Sequence, residues 1–166
     1  MTNTRGRPAA LSRAAATGAL AGVLGAAVMA AGEKLEQAVT HRPNSYVPGR
    51  TLMTLFGGHP DDRVQPTGWN QAMHYATGAA LGALRGLWAV TGVRGPRADL
   101  AHTMARLSID QTLENTTGVG APPHTWPLLE QVVDVGHKAV FSFVTGAIAD
   151  RLISPDLESR RGRISH

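Results

Sequence analysis

Four ionisable side chains, His102, Arg106, Asp110 and Glu114, follow one another at intervals of four between residues 99 and 116. In a helix that spacing sets all four on one slowly drifting stripe, which must face water, the interior of a bundle or a partner. His74 and Arg85 interrupt the apolar segment 70–92, Glu33 closes the apolar run that precedes it, and Glu130, Asp134 and His137 fall in the apolar segment 128–153. Ionisable groups inside a bilayer are costly, so they pair with one another or line a polar path. If the stripe faces inward, His74 and His137 join it in a relay built on imidazole, the side chain that changes charge near neutral pH. The alternative is a solvated or interfacial amphipathic face, with both histidines satisfied near a membrane boundary.

Other chemistry is poorly served. Without cysteine there is no disulfide framework, thiolate zinc site, iron–sulfur cluster or cysteine nucleophile. His102, Asp110, Glu114 and His137 are of the right types for zinc or iron, yet no HExxH or ExxH pair supplies ligand spacing. Two histidines on different helices also suggest bis-histidine haem, although nothing sets them at matching depth and aromatic residues make up only 5% of the chain. There is no GxSxG elbow, GxGxxG loop or Walker loop, and Asp61-Asp62 in a Pro/Gly segment read as solvated turn residues. No catalytic residue, metal or cofactor is assigned, and a non-enzymatic protein is the favoured expectation.

The elements that must position these residues follow from how apolarity is distributed. Mean hydropathy is −0.09, but apolar residues gather in a few stretches while charges collect at the ends and in connections. Residues 14–32 run uncharged between Arg13 and Glu33, about 28 Å of helix at 1.5 Å per residue, which matches one hydrocarbon core. The residues 33–69 hold Pro43, Pro48, Pro60, Pro66 and Gly57-Gly58, and so predict a long connection with a short amphipathic piece at 51–56. Residues 70–92 form a second span with Trp69 and Trp88 as interfacial anchors. A third helix follows the Gly95-Pro96 break, and a fourth follows Pro122-Pro123 and Pro127. The expected fold is therefore all-α, a small membrane bundle of three to four Gly/Ala-rich helices. Its organisation is a basic tail at 1–13, a membrane domain at 14–153 and a basic tail at 154–166.

Loop charge orients the bundle. Arg94 and Arg97 put 93–98 on the cytoplasmic side; 117–130 carries no Lys or Arg and goes outside; the basic ends place both termini in the cytoplasm of a multi-pass inner-membrane protein. Lys34, Arg42, Arg50 and Arg63 in the first long connection run against this pattern, which long loops obey weakly. A rival reading takes Arg5 to Arg13 as the basic region of a secretory signal with Val28-Met29-Ala30 as its cleavage site. The basic ends suit anionic lipid; with no binding motif, nucleic acid is not expected as a partner.

Small residues supply the packing. Gly18-x3-Gly22 and Gly78-x3-Gly82 repeat the spacing that lets membrane helices approach closely, and Thr17-Gly18-Ala19, Thr77-Gly78-Ala79 and Thr145-Gly146-Ala147 echo one another. These faces could instead bind a membrane-protein partner or a second copy, which would make the chain a structural or assembly subunit.

The order of features resembles the YagU-like family of small, poorly characterised bacterial inner-membrane proteins. The likeness rests on the first span ending at Glu33, on Arg42-Pro43, and on His74 near the start of the second span. It extends to Gly118-Val119-Gly120-Ala121-Pro122-Pro123 before the last helix and to Glu130 followed by Gly136-His137, and so covers most of 15–152. The third helix here is more polar and aromatics are fewer. The resemblance implies an inner-membrane protein associated with acid tolerance, without an established activity, in which Glu33, His74, Glu130 and His137 are shared polar positions. The expected function is proton- or ion-linked behaviour of a small membrane protein.

Overall fold

The computed structural model describes residues 6–158, and those residues are all-helical. Five α-helices follow in order: α1 (Gly6–Thr40), α2 (Val47–Leu55), α3 (Thr67–Val90), α4 (Pro96–Thr116) and α5 (Leu128–Leu152), with a 3-10 turn at Pro123–Thr125 before the last. The terminal arginines Arg5, Arg160, Arg161 and Arg163 lie outside the described residues. Proline works here as a starter: Pro96 opens α4 just after Gly95, and Pro48 stands in the first turn of α2, where a missing N–H costs nothing.

Several expected boundaries move. Five helices replace the expected three to four. Residues 6–13 are helical and continuous with α1, and the expected connection 33–69 contains the last turns of α1, all of α2 and the first turn of α3. The polar end of α1 stays helical because side chains bond one turn apart along it: Gln37 Nε2 donates to Glu33 Oε1 at 3.1 Å, and Thr40 donates to Glu36. By length and composition α1 and α5 are apolar enough to cross a membrane. Helix α3, which carries Arg85, and α4, which carries the charged stripe, do not reach that standard, so the four-span arrangement is not given by hydropathy alone.

Helices α1 and α3 meet backbone to backbone. Gly18 lies against Gly82 and Gly86, and Gly22 against Gly78 and Gly82; as one number rises the other falls, so the helices run antiparallel. A Cβ on Gly22 would strike the carbonyl oxygen of Gly78 and come within 2.7 Å of the Gly82 Cα; one on Gly86 would strike the carbonyl of Ala14. Helix α5 packs on α1 in the same way, where Gly25 meets Thr145 and Phe141. Helix α4 packs mainly on α5, and α2 lies along α3. The small-residue faces expected to bind a partner are thus occupied within the chain.

Burial places small and several polar side chains inside and many large apolar ones outside. The apolar interior is largely small, with Ala14, Ala21, Ala26, Ala89 and Ala149 around Leu81 and Phe141. Arg85, His102, Ser142 and Thr145 are fully buried among the helices, while Leu20, Leu24, Val28, Leu100, Met104, Val132 and Val135 point outward. Replacing Gly22 with Leu should lower stability by about 1–3 kcal/mol or more, because the obstructing atoms are backbone and cannot rotate away. Gly32→Leu, at a position with no neighbour near its Cβ direction, should change it little. Unfolding in increasing denaturant checks both, and equal stability of the two variants would refute the backbone contact.

Candidate functional site

Charged side chains within the bundle form two groups. The first, at the end carrying the α3–α4 turn, is closed. Arg85 on α3 donates from Nε and Nη2 to Asp99 Oδ1 on α4, at 3.1 and 2.9 Å, and from Nη2 to Asp150 Oδ2 on α5 at 2.9 Å. The amide of Gly95 donates to the same Asp150 oxygen at 2.9 Å, and Arg94 donates to backbone carbonyls of Asp150 and Ile153. Gly146 has no side chain because the Asp99 carboxylate occupies that place. One guanidinium thus ties three helices together, and the triplet Thr145-Gly146-Ala147 makes room for it.

The stripe on α4 faces inward, towards α3 and α5. His102 is fully buried between Trp88 and Phe141, ring centroids 5.9 and 5.5 Å away, and its Nε2–H donates to the carbonyl of Leu81 at 3.0 Å. Arg106 lays its guanidinium over Phe141, 4.1 Å from the ring centre, in the geometry of a cation–π contact, and donates from Nε to Asp110 Oδ2 at 3.3 Å.

Beyond Arg106 the helices part around a cavity of about 420 Å³, within the roughly 300–1,000 Å³ common for small-molecule sites. Into it project Glu33 from α1, His74 from α3, Arg106, Asp110 and Glu114 from α4, and Glu130, Asp134, His137 and Lys138 from α5. Arg42 and Trp126 complete the wall from the connecting segments. Lys138 is the central cation: its Nζ donates to both oxygens of Asp134 at 2.6 and 2.7 Å and lies 3.7 Å from Asp110 Oδ2. Arg42 pairs with Glu36 at 2.9 Å and approaches Glu130 at 4.0 Å. The hydrogen bonds from Arg42 hold the Glu36 carboxyl, beyond the uncharged part of α1, below the usual carboxylate range.

The turn after α4 covers one side. Gly118, at φ 71°, reverses the chain so that the amides of Val119 and Gly120 donate to the carbonyl of Glu114 at 3.2 and 3.0 Å. The indole N–H of Trp126 then donates to the carbonyl of Ala121 at 2.9 Å, holding the turn and the start of α5 over the cavity. The segment 118–123, singled out for its Gly and Pro pattern, is thus a wall of the site.

Of the residues singled out in the sequence, Glu33, His74, Arg106, Asp110, Glu114, Glu130 and His137 meet at one cavity. Arg85 belongs to the closed group at the opposite end, and His102 to the packed centre between them. Sequence reasoning missed Lys138, Arg42 and Trp126 as cavity residues and Asp99 and Asp150 as partners of Arg85. The Asp134–Lys138 spacing of four was the legible signal for the first. Among the described residues no three His, Asp or Glu side chains converge to hold a metal ion.

No protein-family model matches the chain, and searches of curated proteins and of solved structures likewise give no match.

Replacing Lys138 by Met leaves Asp110 and Asp134 beside the cavity without their shared cation, and should destabilise the fold by about 1–3 kcal/mol. Adding Asp134→Asn should recover part of that loss. A thermal unfolding series over the single and double variants measures the coupling; additive effects would show that the carboxylates do not depend on Lys138.

Proposed function

We propose that the chain is a small multi-pass inner-membrane protein, with both termini cytoplasmic, whose charged cavity opens towards the extracytoplasmic side and carries proton- or ion-linked behaviour. The observation that carries this reading is the inversion of burial: charged and hydroxyl side chains lie between the helices, while leucine, valine and methionine face outward. In water that arrangement is expensive on both counts, and in lipid it is the economical one. Two helices apolar enough to cross a membrane support it.

Loop charge supports the orientation. Arg94 and Arg97 lie at the end of the closed Arg85 group, while 117–130, beside the cavity, contains no Lys or Arg. A cavity on the outer face whose lining mixes carboxylates, two imidazoles and three cations suits the passage or sensing of protons or small ions. The resemblance to the YagU-like family makes tolerance of acid the natural physiological setting. The assembly-subunit reading is weaker, since the small-residue faces it needs meet each other inside the chain.

The test combines location with pH response. After alkaline carbonate extraction of expressing cells the protein should stay in the membrane pellet; release into the supernatant would end the membrane reading. His137→Asn and Asp110→Asn should then weaken survival at low pH while pellet levels stay equal to the parent. Unchanged survival in both would end the proton-linked reading.

A further inference from the structure

The charges lining the cavity do not balance. Asp110 and Asp134 share Lys138, Asp110 also holds Arg106, and Glu130 has Arg42 at the edge of ion-pair distance. Glu33 and Glu114 enter no ion pair among the described residues. Glu33 accepts one hydrogen bond from Gln37, and the Glu114 carboxylate accepts none. Glu114 is nonetheless only 9% exposed, and what exposure it has is to the cavity. That carboxylate faces the cavity, so a donor seated there would reach it. The spare donor nearby, Nη1 of Arg106, is sealed in the interior without a partner and so does not offer itself to an anion in the cavity.

We infer that the cavity is a binding site for a primary ammonium group, held between the carboxylates of Glu114 and Glu33, with its alkyl stem against Trp126, Met29 and Met73. An ammonium carries three donors and no acceptor, which suits two carboxylates from different helices. The indole adds an aromatic face of the kind that attracts organic cations. A metal ion is less well served: divalent cations seek six or more oxygen ligands or a converging His/Asp/Glu set, and neither is formed here. The inference rests on reading the cavity as the working site and gives the ion in that reading a chemical class.

A primary ammonium is offered both by free amines and by the ethanolamine headgroup of a phospholipid. Isothermal titration of the purified full-length protein in a neutral detergent, with ethylamine in one series and a short-chain phosphatidylethanolamine in the other, separates the sources. Binding of ethylamine identifies a free amine; binding of the phospholipid alone, with the matching phosphatidylcholine inert, identifies the headgroup. In either case Glu114→Gln should weaken binding about tenfold or more, and Glu33→Gln should do so independently, each with circular dichroism matching the parent. No binding of either probe to the folded parent overturns the inference, as does parental affinity in both variants. Loss of acid survival in His137→Asn alongside absent amine binding would leave the proton-linked reading standing and remove only the amine.

Discussion

The bundle depends on two helix backbones touching. Between Gly18 and Gly86, α1 and α3 approach until the Cα hydrogens of one lie against carbonyls of the other, a distance that no larger side chain permits. Dispersion contacts then stand in for the bulky core that this chain lacks, and the alanine-lined seam they create is too thin to bury large residues. Every large polar side chain in the interior is therefore displaced to the α4 and α5 side, where the helices are further apart. The charged groups lie where they do because the other side of the bundle is full.

That displacement yields two ends of different character. Near the α3–α4 turn one arginine faces two aspartates with a backbone amide and a second arginine in support, a cluster closed by its own geometry. At the far end the ionisable groups are more numerous and their pairing is incomplete, and a turn anchored on Trp126 and Glu114 covers one side of the cavity. Phe141 separates the two regions, stacked by His102 on one part of its ring and Arg106 on another. The first cluster ties three helices together; the second leaves a cavity between them.

Much of this was legible in the residues. The spacing of 102, 106, 110 and 114 gave a single helix face, and the glycine spacings marked faces fit for close packing, because both are properties of one helix. What could not be read was which way the stripe turned, since periodicity locates a face without naming its neighbour. The polar end of α1 was mistaken for connection because local side-chain bonds such as Gln37 to Glu33 outweigh the absence of an apolar pattern. Arg85 was visible as an interruption, but its aspartate partners lie 14 and 65 residues away, a separation that only the packed helices span. The cavity itself gathers residues from five helices and two connections, so no local signal could have drawn its outline.

The contact between α1 and α3 also divides the sequence into two alphabets. Outward positions such as Leu20, Leu24 and Val132 are exposed, and little in the chain limits their size. Inward positions such as Gly18, Gly22 and Gly82 are confined to the smallest side chain by atoms that cannot move. A chain built this way can change most of its visible surface without altering its shape, while the α1–α3 seam is written in small letters that occur everywhere. Its architecture is carried by spacing, and two such proteins could share every helix contact while agreeing at few positions in between.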